Sequence, residues 1–367
     1  MDIRELLVFM MKNKCSDLHI TVGLPPIFRK DGKLVKLNDL DNAMASMSLT
    51  KEITEVLTKS IIPDDKWLIL EEKGEVDFSY AVHGLGRFRI NTYRQRGCIS
   101  IAIRSIPLDI PTIKGLGLSQ NLSQFGRFPN GLVLVTGPTG SGKSTTLAAL
   151  IDLINKERGC HIITLEDPIE YLHKHNKSII NQRELGSDTQ SFASALRAAL
   201  RQDPDVILIG EMRDLETMET ALKAAETGHL VFASLHTNSA VQTIDRIVDV
   251  FPSSQQQQVK IQLAAVLRGI ISQRLLPLID GGRTAVLEIL IANPAIRSLI
   301  REGKTHQIYS ILQTNSREGM ITLEKAVKEP YYQGKISAET ALLELPDDEE
   351  LKALSSLNND YFSSELI

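Results

Sequence analysis

The first 106 residues alternate between short helical and strand-like patterns. In two stretches apolar side chains recur at helical intervals, and in several others they alternate with polar ones. The predicted helical stretches are residues 2–14 and 49–70, and the predicted strands are residues 19–22, 27–30, 76–82, 87–93 and 99–104. We therefore expect a small α+β domain over residues 1–106.

Residues 107–118 have no sustained periodicity and are rich in prolines and glycines, namely Pro107, Pro111, Gly115 and Gly117. Such a composition is typical of the connection between two domains. We expect residues 107–118 to be the linker.

Beyond the linker the predicted strands are apolar without alternation, which is expected of parallel strands covered on both faces. They are residues 131–136, 162–165, 206–209 and 230–234. A helical pattern over residues 145–154 separates the first two, so this order predicts a βαβ unit. After residue 251 the pattern is mostly helical, including residues 253–271, and we expect the last dozen residues to be poorly ordered. The prediction for residues 119–367 is an α/β domain with a helical C-terminal region.

Composition narrows the class of protein. The chain has 41 Lys and Arg against 45 Asp and Glu, a formal net charge of −4, which argues against a dedicated nucleic-acid binder. Its three cysteines are too few for a disulfide framework or a four-cysteine zinc site. No apolar run is long enough to span a membrane, and the N-terminal pattern is not that of a signal peptide. We expect a cytoplasmic protein.

One glycine-rich segment carries a specific chemistry. It follows a predicted strand, precedes a predicted helix and fits the P-loop pattern, in which backbone N–H groups surround phosphates at a helix N-terminus. Its residues are Gly137, Pro138, Thr139, Gly140, Ser141, Gly142, Lys143, Ser144 and Thr145. In this pattern the lysine bridges the β- and γ-phosphates, and the Ser144 hydroxyl binds magnesium. The segment therefore predicts ATP and Mg²⁺ as cofactors.

Acidic residues follow two of the apolar strands, where the carboxyl edge of a parallel sheet binds ligands. Glu211 is the candidate to hold magnesium through water. Glu170 is the candidate to orient or deprotonate the attacking water, and Glu166 is the alternative for that role. Spacing alone does not separate the last two.

Histidines and arginines complete the candidate site. His229 and His236 bracket a predicted strand, and either could sense the γ-phosphate; the absence of a third nearby ligand argues against a metal site. The last strands of the first domain carry several arginines that could stabilise phosphoryl transfer in a neighbouring chain. They are Arg87, Arg89, Arg94, Arg96 and Arg104.

Together these motifs resemble the hexameric secretion and type IV pilus motor ATPases over nearly the whole chain. The resemblance rests on the P-loop and on five further segments: residues 16–19 (Ser-Asp-Leu-His), the acidic segment 166–170, residues 210–214 (Gly-Glu-Met-Arg-Asp), the His-containing segment 227–237, and residues 295–302. The last is similar to the signature of the retraction branch, with Ser298 where Asn is more usual.

The resemblance implies a PAS-like first domain, a RecA-like second domain and a ring of six identical chains that shares each nucleotide between neighbours. Arg89, Arg96 and Arg104 lie nearest the arginine-finger positions of the family. The resemblance also implies a motor for pilus retraction and twitching motility. Such a motor is peripheral to the inner face of the cytoplasmic membrane and acts on a membrane-embedded platform protein.

Three other functions are compatible with parts of the pattern. The runner-up is an accessory retraction ATPase, a paralogue that could also be a partner. A ring scaffold that binds ATP but depends on another motor is disfavoured by the intact Glu170 and Glu211. A DNA-translocating ATPase shares the P-loop, but the net charge and the lack of a basic stripe argue against nucleic acid as a partner.

Overall fold

The computed structural model describes residues 2–30, 32–40, 48–107 and 109–353. The chain divides into two compact units: Met1–Asp109 with Glu170–Leu172, and Ile110–Ile169 with His173–Ile367. The boundary between Asp109 and Ile110 therefore falls within the predicted linker, residues 107–118. The expected disorder of the last dozen residues concerns positions outside the described part of the chain.

The first unit is a six-stranded antiparallel sheet with helices packed on it, in the strand order β3-β2-β1-β6-β5-β4. The strands are β1 (Asp17–Ile20), β2 (Ile27–Lys30), β3 (Lys33–Lys36), β4 (Glu75–Val82), β5 (Gly86–Gln95) and β6 (Cys98–Ile106). The helices are α1 (Ile3–Lys12), α2 (Leu37–Leu40), α3 (Lys51–Lys59) and α4 (Asp64–Lys73).

Helix α1 shows why the N-terminal pattern is helical. Asp2 caps its first turn and forms a capping box with Glu5, which satisfies backbone N–H groups that have no partner within the helix. The apolar positions that recur at helical spacing, among them Leu6 and Met10, are fully buried. The helix therefore forms where a capping signal and an apolar face coincide.

The second unit is built on a seven-stranded sheet in the order β13-β12-β7-β11-β10-β8-β9, parallel except for β13. Its strands are β7 (Gly131–Thr136), β8 (His161–Glu166), β9 (Ile179–Glu184), β10 (Val206–Ile209), β11 (Leu230–Leu235), β12 (Leu267–Pro277) and β13 (Arg283–Ile291).

Nine α-helices belong to the described part of this unit: α5 (Lys143–Glu157), α6 (Phe192–Ala199), α7 (Leu215–Glu226), α8 (Ala240–Asp249), α9 (Ser253–Val266), α10 (Pro294–Glu302), α11 (Ile308–Thr314), α12 (Leu323–Tyr332) and α13 (Ala338–Glu344). Short 3₁₀ helices span Gln120–Arg127, Thr305–Gln307 and Ser316–Glu318.

Strand β7 explains the lack of alternation in the central strands. Every residue of β7 is buried. Leu132 and Leu134 join one hydrophobic cluster, while Val133 and Val135 join another on the opposite face. Because helices cover both faces of the sheet, apolar side chains are favoured at consecutive positions.

One expectation about the second unit was wrong in detail, and one was confirmed. The predicted helix over residues 253–271 ends at Val266, and the chain continues as β12, which pairs with β7 on one side and β13 on the other. Residues 263–271 are mostly apolar, a pattern that suits either a helix or a buried strand, and the pairing of β12 with β7 and β13 decides for the strand. The predicted βαβ unit is confirmed: β7 and β8 are parallel strands of one sheet joined through α5, and β11 and β10 lie between them.

Candidate functional site

The P-loop connects β7 to α5 and owes its shape to its glycines. Gly137, Gly140 and Gly142 have positive φ angles of 143°, 80° and 86°. A Cβ atom on Gly137 would lie 2.2 Å from the carbonyl oxygen of Gln273, so this position has room only for glycine. The loop thus ends at the first turn of α5, where unpaired backbone N–H groups can bind phosphate.

Two side chains of the loop are arranged for a phosphate ligand. The Nζ of Lys143 donates to the carbonyl oxygens of Gly137 (2.8 Å) and Pro138 (3.0 Å), so the lysine folds over its own loop. The Oγ of Ser141 is buried and has no hydrogen-bond partner among the described residues. A buried hydroxyl without a partner is costly unless a ligand supplies one. The loop therefore fits the phosphates of a nucleotide.

A charged network lies at the carboxyl edge of the sheet, just past β10 and β11. Glu211 Oε1 is 2.9 Å from His236 Nε2, and its Oε2 is 2.8 Å from Arg213 Nη2. On its other side, His236 Nδ1 lies 3.5 Å from Lys143 Nζ. Since Lys143 can only donate, these contacts favour the tautomer that carries its proton on Nε2. His236 thereby joins the P-loop lysine to Glu211.

This network keeps Glu211 ionised. Burial alone would raise its pKa, but the hydrogen bonds from Arg213 and His236 outweigh burial and hold the pKa below its ordinary value. A carboxylate charged at neutral pH beside a P-loop can accept hydrogen bonds from metal-bound or attacking water.

Glu166 and Glu170, the two candidates for orienting water, have different surroundings. Glu166 Oε1 accepts hydrogen bonds from Thr164 Oγ1 (2.6 Å) and Gln182 Nε2 (3.0 Å), which orient its side chain. It ends β8, beside the strand that leads to Glu211. Glu170 is exposed, and its side chain makes no hydrogen bond or ion pair within the described residues.

The two candidate histidines lie at opposite ends of β11. His236 follows the last residue of the strand, whereas His229 precedes the first, beside the start of β7. At about 3.3 Å per residue the strand separates them by roughly 20 Å. The ring of His229 instead contacts Ala224 O (2.9 Å) and Thr227 Oγ1 (3.2 Å). Within one chain the structure therefore brings only His236 to the P-loop.

The candidate arginines belong to the antiparallel sheet of the first unit. Arg104 Nε donates to Asp17 Oδ1 at 2.8 Å, and Arg89 Nε lies 3.8 Å from Asp77 Oδ1. Arg96 occupies the turn between β5 and β6 with a positive φ of 51°, and its exposed guanidinium forms no ion pair within the described residues.

Sequence analysis missed one polar residue that contacts the P-loop. Gln273 of β12 is buried and forms hydrogen bonds to Ser141 and Thr146. The expectation of a helix over residues 253–271 concealed it, and no motif marks the residues just beyond that segment. It lies in a polar stretch, Ser272 to Arg274, between two apolar pairs, and that pattern carries no signal for a P-loop contact.

The comparisons with known proteins agree with this geometry. The family model for type II/IV secretion system proteins matches residues 2–281. The chain belongs to this family. Among the relatives of this family member, the type IV pilus retraction ATPase PilT of Pseudomonas aeruginosa is 48% identical over 93% of this chain and 97% of that protein. The type IV pilus ATPase PilU of the same organism is 38% identical, over 98% and 93%.

Solved structures give the same result for the fold of this family member. A crystal structure of the pilus retraction motor PilT with bound ADP matches with a TM-score of 0.89 and 52% identity, covering 96% of this chain and 99% of that one. The Legionella pneumophila ATPase DotB matches with a TM-score of 0.80 and 29% identity, over 94% and 95%. The predicted fold class and family resemblance are confirmed.

None of the helices in the described part of the chain is both long and apolar enough to cross a bilayer.

Proposed function

We propose that this chain is the ATP-hydrolysing motor that powers type IV pilus retraction and hence twitching motility. The observation that carries the proposal is the contact network of Lys143, His236 and Glu211, which places three candidate residues around one P-loop. The near full-length similarity to PilT supports the pilus assignment. PilU is less similar to this chain, so the accessory retraction ATPase stays the second candidate.

The P-loop supplies the phosphate site. Its N–H groups and the Ser141 hydroxyl donate to phosphate oxygens, as does Lys143 once it leaves the carbonyl oxygens of Gly137 and Pro138. Ser144 and, through water, Glu211 would hold magnesium, which would neutralise phosphate charge when bound. Because His236 contacts both Lys143 and Glu211, movement of the lysine toward a γ-phosphate changes the partners of the histidine.

The attacking water requires a carboxylate that orients or deprotonates it. Glu170 is our first candidate, since its side chain has no partner to give up among the described residues, and Glu166 is the alternative, since Thr164 and Gln182 already hold it in place. The variants Glu170→Gln and Glu166→Gln distinguish between these two candidates. The variant with the larger loss of kcat at unchanged ADP affinity identifies the residue that acts on water.

Assembly completes the proposed motor. Six chains form a ring in which Arg89, Arg96 and Arg104 of one chain act on the nucleotide of its neighbour. Arg96 has no ion pair to break in the described residues, whereas Arg104 must leave Asp17. The ring is recruited to the inner face of the cytoplasmic membrane by a platform protein of the pilus, and a paralogous ATPase could share the work.

Steady-state ATP hydrolysis and light-scattering mass of the purified chain test this function. We expect magnesium-dependent turnover by a six-chain particle, and its loss in Lys143→Ala because that variant removes the side chain that bridges the β- and γ-phosphates in a P-loop. Substantial turnover by a folded Lys143→Ala protein would overturn the mechanism. Turnover near zero with normal nucleotide affinity would favour the ring scaffold instead. In cells, loss of retraction on deletion of this chain alone distinguishes the main motor from an accessory one.

A further inference from the structure

Gln273 uses both ends of its side-chain amide on the P-loop and the helix after it. Its Nε2 donates to the carbonyl oxygen of Ser141 at 2.7 Å, and its Oε1 accepts from Thr146 Oγ1 at 2.6 Å. Only 3% of the residue is exposed. The reversed amide would place two acceptors, Oε1 and the Ser141 carbonyl oxygen, against each other, so one orientation fits. We propose that Gln273 is a positioning residue that holds the P-loop ready for nucleotide.

The glycines of the loop allow β12 to approach this closely. A Cβ atom on Gly142 would lie 2.8 Å from Gln273 Nε2, and one on Gly137 would lie 2.2 Å from the Gln273 carbonyl oxygen. The backbone of Gln273 thus meets the start of the P-loop and its side chain meets the end. Both contacts come from one residue of a neighbouring strand, which makes the loop and β12 a single packed element.

The hydrogen bond to Ser141 also sets the direction of a phosphate-binding group. In a planar trans peptide the C=O and the N–H point in opposite directions. Because the Ser141 carbonyl oxygen faces Gln273, the N–H of Gly142 in the same peptide points away from the Gln273 side chain. The N–H is then not directed at Gln273 and is available to donate to a phosphate.

The contribution of Gln273 to the shape of the P-loop is expected to be largest when nucleotide is bound. In the present structure Lys143 also ties the loop together, through Gly137 and Pro138. Under the proposed function, on which this inference rests, Lys143 gives up those bonds to reach the phosphates. Gln273 makes no contact with Glu211 or His236 among the hydrogen bonds of the described residues, so it acts on nucleotide affinity rather than on the chemical step.

Replacement by methionine tests the role, since Gln273→Met keeps the length of the side chain and removes both polar atoms. We expect the Kd for ADP and the KM for ATP to rise about tenfold or more, while kcat at saturating ATP falls less than about threefold. The matched control is Ser272→Ala on the same strand, which removes the hydrogen bonds of Ser272 to Thr136 and to Glu288 but no hydrogen bond to residues 137–145 of the P-loop. Its ADP affinity should stay within about twofold of wild type.

A second variant keeps the proposal testable if Gln273→Met does not fold. Thr146→Val removes only the hydroxyl that donates to Gln273 and should weaken ADP binding about threefold. Adding Thr146→Val to Gln273→Met should cost little more, because the two residues act through one bond. ADP affinity within about twofold of wild type in both single variants, or losses that simply add, would overturn the role of Gln273.

The same measurements separate this inference from the proposed function. If wild-type protein bound neither ADP nor ATP, the proposed function would fail. If wild type binds ADP and Lys143→Ala loses ATP turnover while Gln273→Met binds normally, the function stands and only the role of Gln273 is rejected.

Discussion

The two ends of β11 carry the same residue type in different surroundings. At the carboxyl end, His236 contacts Lys143 and Glu211, which are distant from it in the sequence. At the amino end, the ring of His229 contacts Ala224 and Thr227, within five residues of itself. One histidine therefore joins elements of the sheet, and the other closes a local turn.

Sheet geometry explains the difference. In a parallel sheet the carboxyl ends of all strands meet at one edge, so the residues directly after β7, β10 and β11 come together there. The amino edge receives the ends of helices and their turns. A histidine at the carboxyl edge can therefore contact the P-loop, whereas a histidine at the amino edge contacts only its own turn.

The largest effect is expected at Glu211, the residue that pairs with His236. Glu211→Gln removes the negative charge that faces Arg213 and His236, and kcat should fall about 1,000-fold while ADP affinity changes little. Steady-state kinetics and ADP titration measure the two quantities. A kcat within about threefold of wild type would show that the Glu211 carboxylate does not contribute to ATP hydrolysis.

A third histidine, His173, extends the comparison to the interior. Its Nδ1 is buried without a hydrogen bond among the described residues, and burial lowers its pKa from 6.5 to about 4, against the opposing charge of Asp152. The folded protein thus binds fewer protons than the unfolded chain between these values. From pH 6.5 down to about 4, stability therefore falls by about 3 kcal/mol in total on account of His173, and below that interval the residue causes no further loss.

Denaturant unfolding between pH 7 and pH 4 measures this loss. The His173→Gln variant cannot gain a proton there, so its stability should fall less steeply with acid than that of wild type. Equal slopes in the two proteins would mean that His173 is protonated as easily in the fold as in water.

The next largest effect is expected when His236 is replaced. His236→Ala breaks the link between Lys143 and Glu211, and kcat should fall about tenfold or more. The matched variant at the other end of the strand is His229→Ala. If the two variants lost the same amount of ADP affinity and kcat, the contrast between the two edges would be wrong.

The smallest effect belongs to His229 itself. His229→Ala removes the hydrogen bonds to Ala224 and Thr227 and should lower the free energy of unfolding by about 1 kcal/mol. Thermal unfolding with and without ADP checks this. A shift on ADP binding that matches wild type shows that the nucleotide site is intact, and a lost shift would place His229 at that site.

Much of the site could be predicted from local patterns. The P-loop residues and the acidic candidates at the ends of β8 and β10 could be predicted because each lies at or just after the end of a strand whose burial is visible in its composition. Gln273 could not be found in this way. Its role depends on the pairing of β12 with β7, a contact between residues far apart in the chain.

The sequence by itself determined the two-domain α/β class, the phosphate-binding loop and the family, because these depend on periodicity and on motifs of adjacent residues. Tertiary structure alone decided that residues 267–277 form a strand, that Gln273 reaches the P-loop, and that only one of two similar histidines meets Lys143. Those outcomes depend on strand order, and strand order is set by packing between distant segments rather than by the preference of any one of them.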